Sequence, residues 1–414
     1  MEMDNTCNIL VEEELQNCSK EELIAKVKAL KAHNFQLKSI LQKSEKQCTN
    51  TDQKEFDFSK HNSRHILLRI LYLGWDYKGF VVQENTLDTI EHHLFKALLK
   101  TRLIKDRSTS NYHRCGRTDK GVSSYGQTIS ITVRSNLQPE NDNIYGEMNY
   151  CKILNRVLPD NIQCVAWSPV SDEFSSRFDC KSRSYKYYFP KGRLNVELMR
   201  DASRKLVGSH DFRNLCKMDV GNGVTEFVRN ITAITIAPLK SSDPEDEYTM
   251  YVIKIQANAF LWHQIRCILG VLLLVAQGKE QPSIVDQLLD ITKHPRKPEY
   301  GMASEVPLNL FYCEYGDTKW QYDKETVRQV LEKLQSCWTF TAIKQNMIRD
   351  MIDSLMTETS MDNTQCFSEN LLQGVRQKNY IPLLKRKTCL SLEEKMRSCK
   401  RGKKMVLLSI NGDK

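Results

Sequence analysis

The stretch Arg114-Cys-Gly-Arg-Thr-Asp-Lys-Gly121 places one carboxylate, that of Asp119, in a basic loop bounded by glycines. Gly116 and Gly121 have no Cβ, so the backbone can turn sharply there and a ligand can approach closely. A nearby cation favours the ionised form of a carboxylate. The loop therefore predicts an Asp119 that acts as a nucleophile or a charge stabiliser rather than as a general acid.

Three cations surround this acid in the sequence, namely Arg114, Arg117 and Lys120. Arginine and lysine beside a glycine turn are suited to binding a phosphate-bearing substrate. We therefore expect these three side chains to bind phosphate or to position the acid. The loop as a whole predicts an acid that acts on a polyanion.

Outward from the loop, the apolar pattern predicts strands and helices without regular βαβ alternation. An apolar run at 65–73 and an alternating run at 127–133 predict two strands, so Asp119 should lie on a loop just before a strand. Thr86 is predicted to cap an intervening helix. An order of strands and helices without regular βαβ units favours an α+β fold with a mixed or antiparallel sheet. The further strands are predicted at 164–167, 185–189, 227–236, 250–257 and 308–315, and the helices at 196–206, 261–276, 284–291 and 324–334.

The pattern divides the chain into an N-terminal helical segment (1–50), a polar linker (51–63), two halves of a catalytic domain (64–170 and 171–341) and a basic tail (342–414). The N-terminal segment has a heptad repeat with one polar position, which predicts either a coiled coil that pairs two chains or an amphipathic helix docked on its own domain. The heptad positions are Leu23, Val27, Leu30, Asn34, Leu37 and Leu41.

The chain of 414 residues carries a net charge of +9, which is concentrated near its C-terminus. Residues 376–404 hold eleven Lys/Arg against two Asp/Glu. Basic excess is compatible with binding to nucleic acid or a membrane surface, or with solubility alone. No apolar run has the length of a membrane span, and no signal peptide opens the chain. Basic clusters at 386–387 and 400–404 fit a nuclear import signal, a flexible RNA-binding tail, or both, so we expect a nuclear and cytoplasmic protein.

The 14 cysteines include no C-x-x-C pair, which predicts reduced, mostly buried thiols and no structural zinc site. The sequence also has no G-x-G-x-x-G after a strand, no phosphate-binding P-loop and no zinc-deaminase motif. A glycosidase ordinarily needs two cooperating carboxylates, and only Asp119 has a convincing setting.

Two further segments are candidates for the site. Around Arg177, Arg183 and Tyr185, cations alternate with aromatic rings, which suits an unstacked base and its phosphates, although an ordinary strand with solvated charges explains the same pattern. The apolar helix at 261–276 carries Arg266, whose buried charge needs a carboxylate or phosphate partner. Asp119 is the candidate partner; the alternative is an arginine that reaches solvent at the helix end. His210 and Asp211 are adjacent, which favours capping or loop structure over a catalytic pair.

The motif from Gly116 to Val122, together with Gln127, resembles the catalytic motif of the TruA-type tRNA pseudouridine synthases. The segments 209–217 and 260–266 follow in that family's order and resemble the eukaryotic Deg/Pus branch, which acts at tRNA positions 38 and 39. The resemblance covers roughly residues 65–315. It implies two α+β halves with joined sheets around an RNA-binding cleft, isomerisation of uridine in the tRNA anticodon stem-loop, and no metal or organic cofactor.

The resemblance also implies roles for three residues. Asp119 is the nucleophile or base that starts cleavage of the glycosidic bond, Tyr185 packs on the flipped base, and Arg266 is the basic partner of the acid. Residues 123–124 and 80–83 depart from the bacterial pattern, so the uridine that is modified stays open between tRNA positions and mRNA. An RNA-binding protein that has lost the chemistry is a further alternative.

Overall fold

Nine strands form one sheet in the part of the chain that the computed structural model describes, which is residues 56–138, 144–239, 248–361, 371–372 and 379–398. The strands are β1 (Asn62–Tyr72), β2 (His113–Arg114), β3 (Ser123–Ser135), β4 (Ile162–Pro169), β5 (Ser182–Pro190), β6 (Gly208–Asp211), β7 (Val228–Pro238), β8 (Met250–Ala257) and β9 (Leu308–Glu314).

Six α-helices and four short 3-10 helices have both ends within the described ranges, and residues 392–398 are helical as well. The α-helices are α1 (Ile90–Lys100), α2 (Tyr150–Asn155), α3 (Val196–Arg204), α4 (Gln264–Ala276), α5 (Ile284–Leu289) and α6 (Lys324–Thr359). The 3-10 helices are Phe58–Lys60, Arg213–Leu215, Val220–Asn222 and Leu383–Lys385.

The strand order is β4-β1-β3-β9-β5-β8-β7-β6, with β2 paired to β3. We call the part built on β1–β4 the first half and the part built on β5–β9 the second half. Neighbouring strands are antiparallel except β3 and β9, which run parallel through the pairs Ser123–Asn309 and Ser124–Leu310. This parallel contact, the seam, joins the two halves. The predicted α+β fold with a joined mixed sheet is confirmed.

Each half has its own apolar core. In the first half, α1 and α2 bury residues such as Leu94 and Tyr150 against the sheet. In the second half, all thirteen residues of α4 are buried, so this helix is the centre of that core. A helix that is apolar on nearly every side can be accommodated only where neighbours cover it all round. Any functional group on α4 is therefore held rigidly.

Glycine and side-chain hydrogen bonds close the seam. A Cβ on Gly126 would lie 2.6 Å from the Phe311 carbonyl oxygen, so no larger residue fits between β3 and β9 at this point. The Ser124 hydroxyl donates to the Leu310 carbonyl at 2.8 Å. The seam thus depends on close backbone approach, which glycine permits.

Several local predictions are wrong in detail. Helix α1 is capped by Thr89 rather than Thr86, because the Thr89 hydroxyl accepts from the His92 amide at 3.3 Å. Strand β3 is buried on both faces instead of one, since polar Ser130 is covered and accepts a hydrogen bond from the Ser176 amide at 3.0 Å. The segment around His210, predicted as a loop, forms the edge strand β6.

The C-terminal region differs most from the prediction. The helix expected to end at residue 334 continues to Thr359 as α6, since no glycine or proline interrupts it. Residues 379–398, predicted as part of a polar tail, pack on the second half, where Leu383 and Leu392 are buried in its core. The Glu280 carboxylate accepts a hydrogen bond from the Leu383 amide at 2.6 Å.

Three predictions lie outside the described residues: the N-terminal heptad helix, the linker up to residue 55 and the basic cluster at 400–404. Among the described helices, none combines the length and apolarity needed to cross a bilayer.

Candidate active site

Asp119 lies on the loop between β2 and β3, and the backbone of this loop is tied to the preceding glycine-rich segment. The Phe80 amide donates to the Thr118 carbonyl at 3.1 Å, and the Gly121 amide donates to the Tyr77 carbonyl at 3.1 Å. The Tyr72 and Thr118 hydroxyls are 2.7 Å apart. Because the residues on both sides of Asp119 are fixed, the loop holds its carboxylate in one place.

Two glycines make this packing possible. A Cβ on Gly74 would come within 1.9 Å of the Val122 carbonyl oxygen. Gly121 has φ of +79°, and a Cβ there would lie 2.7 Å from Cγ of Glu305. A left-handed backbone in such a crowded position favours glycine. The sequence predicted that a ligand approaches the loop closely at its glycines. At Gly121 the group that lies closest is instead the Glu305 side chain.

Helix α4 brings two side chains to the carboxylate of Asp119. Arg266 Nη1 lies 3.6 Å from Asp119 Oδ2, and His263 Nε2 lies 3.4 Å from the same oxygen. The Arg266 side chain is 7% exposed and that of Asp119 is 24% exposed. The structure thus brings together the acid and the arginine that the sequence paired, with a histidine beside them.

Two groups hold Arg266 more closely than Asp119 does. Its Nε donates to the Ala303 carbonyl at 2.9 Å, and its Nη2 lies 2.8 Å from the Glu305 carboxylate. One turn along α4, a Cβ on Gly270 would lie 2.6 Å from the Gly301 carbonyl oxygen, so glycine lets the 301–305 loop pack on the helix. The guanidinium is therefore oriented before any substrate arrives, as electrostatic stabilisation requires.

His263 occupies a strained position at the start of α4. Its φ is +57°, which is uncommon for a residue with a Cβ, and its side chain does not cap the helix. Its Nδ1 is buried and has no hydrogen-bond partner among the described residues. The N-terminus of a helix also carries partial positive charge, which favours a carboxylate nearby. Strain that places a side chain against an acid is typical of functional sites.

Tyr185 lies in β5 beside the base of the same loop. A Cβ on Gly116 would be 3.9 Å from the Tyr185 hydroxyl oxygen, and the ring meets that of Phe260 edge to face at 5.3 Å between centroids. Burial raises the pKa of Tyr185 well above its ordinary value. The site therefore has a neutral phenol and an aromatic ring close to the Asp119 loop.

Two predicted cations lie elsewhere and have structural partners. Arg114, expected beside Asp119, instead forms an ion pair at 2.9 Å with Glu91, which is fully buried on α1. The short strand β2 turns this side chain away from the loop that follows it. Arg183 donates to the carbonyls of Asn258, Arg177 and Cys115 at 2.5, 2.9 and 3.2 Å, so it ties backbone segments together.

The remaining predicted cations are exposed. Arg117 and Lys120 flank Asp119 and form no ion pair within the described part of the chain. Arg177 is also exposed, and its guanidinium lies 5.2 Å from the centroid of the Phe178 ring. These three side chains are therefore available to an anionic ligand.

Two residues of the site were not predicted from the sequence. Glu305, which holds Arg266, lies in a loop whose composition gives no signal for such a role. His263 is three residues before Arg266, which would place both on one face of the predicted helix at 261–276. In the structure His263 is instead the N-cap residue of α4, with φ of +57°.

Comparisons with known protein sequences all give the same family. A family model described as tRNA pseudouridine synthase matches residues 202–316. The chain is 44% identical over 377 residues to tRNA pseudouridine(38/39) synthase of Mus musculus, covering 83% of this chain and 78% of that protein. It is 36% identical to the protein of that name from Saccharomyces cerevisiae, covering 86% of this chain and 84% of that one.

Among solved structures, the archaeal box H/ACA sRNP Nop10-Cbf5 complex matches with a TM-score of 0.23 and 9% identity, covering 50% of this chain and 42% of that one. A similarity this weak carries no argument about the fold. The 44% identity to the mouse protein, over more than three quarters of its length, does support a shared fold. With these relatives, and with an aspartate loop facing a buried arginine helix, the chain belongs to the TruA-type tRNA pseudouridine synthase family.

Proposed function

We propose that this chain isomerises uridine to pseudouridine in the anticodon stem-loop of tRNA, at positions 38 and 39, with Asp119 as the nucleophile. The observation that carries the proposal is the meeting of Asp119 with Arg266 and His263 at 3.6 and 3.4 Å. The names of the mouse and yeast relatives support the two positions.

The reaction exchanges one bond to the sugar for another. The Asp119 carboxylate attacks C1′, and the N1–C1′ bond breaks with its electron pair leaving on the uracil. The uracil then turns, and C5 attacks C1′ and displaces the carboxylate. Finally C5 loses its proton and N1 gains one, so substrate and product have the same atoms and no redox change occurs. The first step needs an ionised Asp119 carboxylate, and the later steps need the uracil to be held in the site.

The second half of the protein supplies the side chains that contact the Asp119 carboxylate. Arg266 is a preorganised cation beside the attacking oxygen, so little reorganisation is needed as charge moves during the reaction. His263 adds a second nitrogen at the same oxygen. The Tyr185 ring beside the loop is suited to packing on an extruded base. Close packing around this base would also exclude water, which could otherwise hydrolyse the sugar intermediate.

The exposed cations beside the acid are suited to the RNA backbone. Arg117, Lys120 and Arg177 form no ion pairs among the described residues and can meet phosphates near the target nucleotide. A nucleotide at the edge of the anticodon loop costs less to extrude than one within a long duplex. This gives a physical reason for an anticodon-arm substrate.

The test is site-resolved mapping of pseudouridine in a tRNA that carries uridine at both positions, incubated with the purified full-length protein. We expect product at positions 38 and 39, and none at a position that has been changed to cytidine. Product only at other positions would refute the proposed substrate. Tight tRNA binding with no product at any position would instead favour an RNA-binding protein without activity.

Localisation and oligomeric state remain proposals that rest on the sequence. We propose that the basic cluster at 400–404 directs part of the protein to the nucleus, and that the heptad segment pairs two chains. Serine substitutions in that cluster should reduce nuclear signal, and Leu30→Asp should halve the mass seen by light scattering. Unchanged results would refute each proposal separately.

A further inference from the structure

Three cysteines from distant parts of the sequence meet behind the catalytic loop. Cys115 begins the Asp119 loop, Cys180 precedes β5, and Cys313 lies in β9. All three are buried, none is in a disulfide, and their sulfur atoms lie within 4.8 Å of one another. The absence of C-x-x-C pairs excludes only sites built from neighbouring cysteines, and this cluster is assembled by the fold.

A cation without an acidic partner lies beside the cluster. The guanidinium of Arg183 donates only to backbone carbonyls and forms no ion pair with a carboxylate in the described part of the chain. The three cysteines are among its electrostatic neighbours. A half-buried charge that lacks a counter-charge is costly, and ionised thiols would supply one. The Arg183 guanidinium therefore lies where it would balance part of the negative charge of metal-bound thiolates.

We propose that Cys115, Cys180 and Cys313 bind one divalent thiophilic metal ion, of which Zn²⁺ is the representative. Three thiolates, the Arg183 guanidinium and a divalent ion have a total charge of zero. Zinc–thiolate bonds of about 2.3 Å place tetrahedral sulfurs about 4 Å apart, so the cluster needs only a small contraction. A water molecule can fill the fourth position, since the nearby Tyr315 hydroxyl donates to the Ser176 carbonyl at 2.8 Å.

The ion would connect the segments that carry the catalytic groups. Cys115 is four residues before Asp119, and Cys180 is five residues before Tyr185. Cys313 belongs to the strand that forms the seam. Binding would thus fix the Asp119 loop of the first half to β5 and β9 of the second half.

Buried cysteines also occur in cores simply as small apolar side chains, and Cys151 provides that contrast. It lies in the first-half core, outside the three-cysteine cluster, and burial raises its pKa to about 12. Cys151→Ser is therefore a matched control, since it changes the same group in a buried position outside the cluster.

The test is titration of the reduced full-length protein with Cd²⁺, followed through the ultraviolet charge-transfer band of cadmium–thiolate bonds. We expect wild type and Cys151→Ser to bind one equivalent more than Cys180→Ser or Cys313→Ser, because the other cysteines contribute equally to all four proteins. Equal Cd²⁺ binding by all four would overturn the proposal.

A second measurement on the wild-type protein keeps the test valid if the serine variants do not fold. Alkylation of each cysteine is timed by peptide mapping, with and without one equivalent of Zn²⁺. We expect Zn²⁺ to slow labelling of Cys115, Cys180 and Cys313 at least tenfold, with the rate at Cys151 unchanged. The same rates with and without Zn²⁺ at the three cysteines would overturn the proposal.

Discussion

The two halves of the sheet contribute different things to one site. The first half supplies Asp119 on a loop whose backbone is fixed by hydrogen bonds and close-packed glycines. The second half supplies side chains, with Arg266 on a fully buried helix and His263 at the residue just before it. The position of the acid is thus set by one half and its electrostatic environment by the other, so activity depends on the seam between them.

Two arginine–carboxylate pairs show the same difference. Glu91 in the first half is fully buried and accepts from Arg114, Tyr112 and the Val82 amide at 2.8–2.9 Å, so its oxygens are saturated. Asp119 is 24% exposed, and the His263 and Arg266 nitrogens beside it are at 3.4 and 3.6 Å. A saturated carboxylate stabilises the fold, whereas one with loose contacts can still react.

Arg266→Lys should break the contact between the halves with a large loss of activity. Lysine keeps the charge but cannot bind the Ala303 carbonyl, Glu305 and Asp119 together in fixed geometry. We expect kcat to fall on the order of 10²-fold, as for loss of one preorganised donor. Single-turnover pseudouridine formation measures this, and a kcat within twofold of wild type would contradict it.

Arg114→Lys is the matched control in the first half. It should cost roughly 1–3 kcal/mol of unfolding free energy, because Glu91 loses part of a buried, charged hydrogen-bond network. Its kcat should stay close to that of wild type, since Arg114 does not contact Asp119. Denaturant unfolding and the same kinetic assay separate the two effects.

Gly126→Ala should disturb the seam itself. The added Cβ would lie 2.6 Å from the Phe311 carbonyl oxygen, so β3 and β9 must move apart. We expect a loss of roughly 1–3 kcal/mol in unfolding free energy and a drop in kcat of about tenfold. Gly221→Ala, with open space around it, should change neither. A Gly126 variant with normal kcat would show that the seam does not control the site.

His263→Asn should separate activity from stability. Asparagine tolerates the left-handed backbone but is too short to reach the Asp119 oxygen as histidine does. We expect kcat to fall about tenfold with little change in unfolding free energy, as for one catalytic contact. His210→Asn on the edge strand β6 is the control and should leave kcat unchanged. Equal kinetics for the two variants would remove His263 from the site.

Arg117→Ala with Lys120→Ala should have the smallest effect. Both side chains are exposed and should contact phosphate, so we expect a KM raised a few-fold, an unchanged kcat and a weaker salt dependence of tRNA binding. Lys100→Ala, an exposed lysine at the end of α1, should change none of these. A lowered kcat would show that the cations act on Asp119 rather than on RNA.

The sequence predicted the seven longer strands and the Asp119–Arg266 pairing because apolar periodicity and the need of a buried charge for a partner are local and chemical signals. It could not predict that Arg114 pairs with Glu91, since Arg114 belongs to the short strand β2 and Asp119 to the loop that follows it. Glu305 was missed because its role exists only once α4 packs against the 301–305 loop. The cysteine cluster was missed for the same reason.

The most direct test of the central claim is single-turnover pseudouridine formation by Asp119→Asn, with tRNA affinity measured on the same protein. Asparagine keeps the shape but cannot act as the nucleophile, so we expect formation to slow on the order of 10³-fold or more while affinity and stability stay near wild type. Asp76→Asn, which removes one exposed charge from the neighbouring loop, should react normally. Pseudouridine formation by Asp119→Asn at the wild-type rate would contradict the assignment of Asp119 as the nucleophile.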